Sequence, residues 1–116
     1  MITFIHYPKC TTCQKAKKWL DDHQISYIAR DIKQNPPTLD EIKSWYRQMG
    51  LPIRKFFNTS GMLYRSLNLK DKLPAMTEDA CFELLASDGM LVKRPLLITD
   101  HNILIGFKES EWMHIL

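Results

Sequence analysis

The chain has 116 residues, a net charge of +3, a pI near 8.8 and 45% apolar side chains, which suits one domain with a continuous core and no disulfide staples. Its basic residues are scattered rather than gathered in a block, so direct nucleic-acid binding is not expected. No apolar run approaches the roughly twenty residues that cross a bilayer, no leader with a cleavage site is visible, and three cysteines do not make a secreted framework; a cytoplasmic protein is expected.

Met1 to His6 reads as a buried strand carrying Ile2, Phe4 and Ile5, with Tyr7-Pro8-Lys9 as the turn out of it. Cys10-Thr11-Thr12-Cys13 follows and opens a helix from about Thr11, whose apolar stripe is Ala16, Trp19 and Leu20. A C-x-x-C pair at a helix start places the first sulfur beside unsatisfied N–H groups and the positive end of the helix dipole, which favours thiolate over thiol. Half a zinc site is the competing reading. It needs two further ligands, but Cys81 stands alone and no two of His6, His23, His101 and His114 form an H-x3–5-H pair.

Ser26 to Ile32 reads as a second strand with Tyr27, Ile28 and Ile32 as its apolar positions, completing a β-α-β unit with parallel strands. Thr38 and Glu41 are in capping-box register for a helix over Leu39 to Met49 that ends at Gly50. Leu51 to Phe57 reads as irregular or one helical turn, Asn58 to Gly61 as a loop closed by an N-cap, and Met62 to Leu67 as a short helix. Thr77 caps a helix over Glu78 to Ala86 with Cys81, Leu84 and Leu85 on its inner face. Pro95 to Thr99 and Asn102 to Phe107 form a hairpin about Asp100-His101, and Lys108 to Ile115 a closing helix. The expected class is α/β: one domain over 1–116, a mixed sheet built from β-α-β and β-β-α halves, with a helical insertion at about 36–90.

With the C-x-x-C between first strand and first helix, this is the plan of the thioredoxin-like fold. Cys10 to Ala16, Phe57-Asn58-Thr59-Ser60-Gly61 and Lys93-Arg94-Pro95-Leu96 resemble the arsenate reductase (ArsC) and Spx family, in order and over nearly the whole length. The resemblance implies that Cys10 is the nucleophile. It also implies that Arg94 steadies a thiolate or a bound oxyanion, and that Pro95 is a cis-proline facing the cysteine loop. An arginine suits that task because its planar fork stays charged and grips an oxyanion through two N–H groups. Lys9, Thr11 and Thr12 complete the candidate anion site. Cys13 is either the resolving cysteine or a small core residue, and Arg94-Pro95 alone would also fit a surface ion pair.

Two positions that carry arginine in arsenate reductases of the family fall on Asn58 and in Gly106-Phe107-Lys108. Neither is arginine, which counts against arsenate as the substrate; Lys108 supplies a point charge without the fork. The resemblance implies a thiol–disulfide oxidoreductase without cofactor or metal. It would act on a small oxyanion or a disulfide and be reset by thioredoxin, glutaredoxin or a low-molecular-weight thiol. The alternative it implies is a Spx-like redox sensor that binds the RNA polymerase α subunit. A monomer is expected. Cys81, Trp19, Trp45, Phe56, Phe57 and Trp112 read as core, and His6 as a structural histidine near the end of the first strand.

Overall fold

The chain runs in the order β1 (Thr3–His6), α1 (Thr11–Asp22), β2 (Ile28–Asp31), α2 (Leu39–Met49), α3 (Met62–Ser66), α4 (Leu69–Lys72), α5 (Glu78–Ser87), β3 (Leu96–Ile98), β4 (Ile103–Ile105) and α6 (Glu109–Ile115). Short 3-10 turns lie at Ile53–Phe56, Leu73–Ala75 and Gly89–Leu91. The computed structural model describes residues 1–115, which divide into two units: 1–32 with 94–115, and 33–93.

In the first unit the apolar run at the N-terminus becomes an inner strand of a four-stranded sheet of order β2-β1-β3-β4. β2 is parallel to β1, whereas β3 pairs antiparallel with both β1 and β4. Alternation along the strands sends Phe4, Leu97 and Leu104 to one face, where they meet Ala16, Trp19 and Leu20 of α1 and Trp112 of α6. Phe4, Ala16, Leu20, Leu97 and Trp112 are fully buried. Trp112 sets its ring edge-on to Trp19 at 5.8 Å and to Phe107 at 4.8 Å. The hairpin turn closes through Thr99, whose N–H donates to the Asn102 carbonyl at 2.8 Å while its hydroxyl accepts from the Asn102 N–H at 2.9 Å.

One strand expectation is corrected here. β2 lies at the sheet edge and is shorter than Ser26 to Ile32; Ile28 is 53% exposed, while Tyr27, just before the strand, packs edge-on against Phe4 at 5.5 Å. A β-branched residue on an edge strand carries no mark of which face it takes, so its apolar character alone does not tell that Ile28 is exposed.

The second unit is helical. Thr38 caps α2 through the expected box, accepting from the Glu41 N–H at 3.1 Å while Glu41 accepts from the Thr38 N–H at 2.9 Å. Gly50 ends the helix at φ +66, a left-handed conformation that glycine adopts without a Cβ penalty. α2 packs on α5, with Tyr46 edge-on to Phe82 at 5.3 Å and its hydroxyl donating to Glu78 at 2.9 Å. On α5 the buried residues are Cys81, Phe82 and Leu85, with Leu84 only half-buried, so the inner face is turned by one residue from the expected stripe. The loop before α3 closes on an N-cap as expected; the capping residue is Gly61, with no side-chain cap.

Candidate functional site

β1 ends at His6, and Tyr7 to Lys9 lead the chain into the N-cap of α1, which is Cys10. Its backbone is extended, at φ −84 and ψ 123. The Cys10 N–H donates to the Tyr7 carbonyl at 2.9 Å, and the Cys10 carbonyl accepts the first helical bond from the Gln14 N–H at 3.0 Å. Gln14 braces the turn by donating its side-chain amide to the Pro8 carbonyl at 2.9 Å. A cysteine at this position points its sulfur toward the amides of the first turn without the tight geometry of a Ser or Thr cap.

Cys13 follows one helical turn later and is buried, being 1% exposed. Its Sγ accepts from the Tyr7 N–H at 3.5 Å. The peptide groups of Tyr7 thus reach both cysteines, the carbonyl at Cys10 and the amide at Cys13. The third member is Arg94, whose guanidinium hydrogen-bonds the Cys10 sulfur and lies 5.1 Å from the Tyr7 ring centroid. Both cysteines are free thiols.

The two sulfurs titrate in opposite directions. Burial pushes Cys10 up, but the Cys13 N–H, the Cys13 thiol and the Arg94 guanidinium outweigh it and hold Cys10 below the ordinary value of 9.0. Burial, reinforced by the hydrogen bond and charge of Cys10, pushes Cys13 up to about 12, against the opposing Tyr7 N–H and Arg94. The pair is therefore arranged so that Cys10 gives up its proton before Cys13, whose thiol hydrogen-bonds the Cys10 sulfur. This division is what nucleophilic attack followed by internal resolution requires.

The structure brings Cys10, Cys13 and Arg94 together. Lys9, Thr11 and Thr12 are exposed around the same turn. The Arg94-Pro95 peptide is cis, and the buried Pro95 accepts from the Gly106 N–H at 2.8 Å through its carbonyl. Lys108 is exposed, and its carbonyl starts α6 by accepting from the Trp112 N–H at 3.1 Å. Asn58 belongs to the 33–93 unit, where its carbonyl closes a turn with the Gly61 N–H at 3.1 Å. Its side-chain amide lies 2.6 Å from where a Cβ on Gly61 would stand, so glycine at 61 leaves room for it. His6 stacks on Phe4 at 4.9 Å, and burial lowers its pKa despite the opposing charge of Asp31.

Tyr7 is the participant that sequence reasoning passes over as a turn residue. Its contribution to Cys13 runs through a backbone amide, which leaves no trace in residue type. Among the described residues no group of three or more His, Cys, Asp and Glu side chains is placed to hold a metal ion, so nothing extends the cysteine pair toward a zinc site.

The chain matches the ArsC family over residues 5–115. It is 53% identical over 111 residues to the protein YusI of Bacillus subtilis (strain 168), covering 96% of this chain and 94% of that protein. Against the global transcriptional regulator Spx of Listeria innocua serovar 6a the identity is 34% over 112 residues, covering 96% of this chain and 83% of Spx. Among solved structures, one described as a "possible arsenate reductase" from Streptococcus mutans UA159 superposes with a TM-score of 0.92 at 50% identity, covering 100% of this chain and 98% of that one. From the strand that opens the sheet to the helix that closes it, the chain belongs to the ArsC family, with the family's thioredoxin-like fold.

Proposed function

We propose that the protein is a thiol–disulfide oxidoreductase in which Cys10 is the nucleophile and Cys13 the resolving cysteine. The observation that carries this reading is the contact of two free sulfurs at the head of one helix, the second buried and the first hydrogen-bonded by the Arg94 guanidinium, which makes the first the more acidic. The Cys10 thiolate attacks one sulfur of a disulfide substrate; the other sulfur leaves as a thiolate and takes a proton from water. Burial still opposes the Cys13 thiolate, but Cys10 then carries no negative charge, so its contribution to holding Cys13 protonated disappears, while the Tyr7 N–H and Arg94 favour the thiolate. Cys13 loses its proton to solvent and attacks the Cys10 sulfur, expelling the second substrate thiol and leaving a Cys10–Cys13 disulfide. Two electrons from an external thiol reductant reset the pair. This accords with the ArsC family, whose members use thiol reductants without a prosthetic cofactor.

A disulfide substrate fits this chain better than arsenate. A disulfide is neutral and asks for no cage of cations, whereas Arg94 is the one arginine at the positions where arsenate reductases of the family carry several. The reading is tested by alkylating Cys10 with iodoacetamide across pH in the parent, Cys13→Ser and Arg94→Ala chains. Half-maximal reactivity is expected below the ordinary thiol range in the parent and at higher pH in Arg94→Ala. A parent profile like that of a free cysteine would overturn the proposal.

The identity to Spx supports a second reading, a redox-sensing regulator that binds the RNA polymerase α subunit. Capture of purified α by the reduced and oxidised chain separates the two. A tight complex that changes with the state of the Cys10–Cys13 pair favours the regulator; turnover of a disulfide without such a complex favours the enzyme.

A further inference from the structure

A cavity of about 560 Å³ opens in the 33–93 unit, and every residue lining it belongs to that unit. The volume falls within the roughly 300–1,000 Å³ of typical small-molecule sites. Ile53, Met76, Leu73 and the Tyr64 ring supply its apolar walls, the last two being buried. Tyr64 is held in place against Phe57, with ring centroids 6.3 Å apart, so this wall rests on the packed interior of the unit. Cys81, itself buried, also lines the cavity, and burial pushes its thiol up, so a guest would be held without a covalent bond.

The charged groups at this cavity are uneven. Arg54, on the first 3-10 turn, and Lys70, on α4, are exposed lining residues, and neither makes an ion pair among the described residues. Glu78 is the acidic lining residue, and its carboxylate already accepts from the Tyr46 hydroxyl at 2.9 Å. Two cations against one engaged carboxylate leave the cavity net positive around an apolar interior. A neutral apolar guest would leave the cations unused, and a cationic guest would meet repulsion. An anionic head with an apolar body satisfies both parts.

We propose that this cavity is a binding site for an amphipathic organic anion, with a carboxylate head held by Arg54 and Lys70 and an apolar body of about eight to ten carbons lying against Ile53, Tyr64, Leu73 and Met76. None of its lining residues takes part in the cysteine chemistry, and its test does not depend on that chemistry.

The probe is decanoate, titrated below its micellar concentration into the full chain by calorimetry, with hexanoate, octanoate, decanol and decylammonium as comparisons. Saturable binding is expected, strengthening by about fourfold per methylene from hexanoate to octanoate. Decanol and decylammonium should bind about tenfold more weakly than decanoate, as should decanoate to an Arg54→Glu/Lys70→Glu chain. Both substituted residues are exposed, and circular dichroism checks that the variant stays folded. In a Cys10→Ser/Cys13→Ser chain, where Cys81 is the remaining thiol, decanoate should slow the reaction of Cys81 with an aromatic disulfide reagent. Absence of saturable binding overturns the proposal, as does equal affinity for decanol, an unchanged affinity after charge reversal, or an unprotected Cys81.

Discussion

Cys13 is a one-atom difference from serine, but its place in the site depends on sulfur. A buried hydroxyl would require a full hydrogen-bond partner, whereas a thiol tolerates the long 3.5 Å contact from the Tyr7 N–H. Cys13→Ala removes both a hydrogen-bond donor to the Cys10 thiolate and the second nucleophile. We expect this variant to raise the pH at which Cys10 alkylates and to accumulate a lasting mixed disulfide on Cys10 that the parent resolves; intact-protein mass spectrometry after substrate addition checks both the mass and its persistence. Tyr7→Ala should leave the backbone amide in place and remove only the ring beneath Arg94. The Cys10 profile is expected to move toward higher pH while the mixed disulfide is still resolved, a combination that separates the ring from the peptide group.

At the scale of the element, stability and legibility part company. The strong signals are legible in the sequence: the parallel β1–β2 pair, the Thr38–Glu41 box of α2 and the β3–β4 hairpin about Asp100-His101. Each is written in side chains that act locally, through an apolar run, a cap or a turn. What went unread has no such script. The helix α4 is four residues long, too short for a periodic stripe, and Ile28 on the edge strand takes its face from pairing rather than from its own pattern. The burial of Phe82 is not legible because the inner face of α5 is decided by contact with Tyr46 across the helix pair. The elements also differ in what a substitution costs. Thr38→Ala is expected to lower stability by about 1 kcal/mol, whereas Trp112→Ala, which empties a fully buried position among three aromatic rings, should cost about 3–5 kcal/mol. Chemical denaturation of the two variants measures the contrast.

For the whole molecule, the cysteine pair ties stability to pH in two directions. Cys10 has a folded pKa below its unfolded one; its contribution is fully present above the ordinary value of 9.0 and is lost as pH falls through the folded value. Cys13 has a folded pKa raised from 9.0 to about 12, so its contribution is present below 9.0 and is lost as pH climbs toward 12. A chain carrying Cys13→Ala should therefore lose less stability than the parent as pH rises above 9.0. Urea unfolding of both chains on either side of that pH provides the check, and a parallel decline would count against the buried-thiol account. The site itself was legible as three residue types, Cys10, Cys13 and Arg94. The greater acidity of Cys10 was legible too, from its place at the head of a helix, whereas the burial that pushes Cys13 up was not, because it comes from packing around the turn.

Arg94 reaches Cys10 from the far end of the chain, since the unit that holds both is assembled from residues 1–32 and the segment that starts at 94. During synthesis the ribosome therefore releases the two cysteines long before the guanidinium that acidifies the first of them has been translated. A nascent chain halted short of residue 94 should carry a less acidic, slower thiol at position 10, so that reactivity arrives late, with the segment that starts at 94.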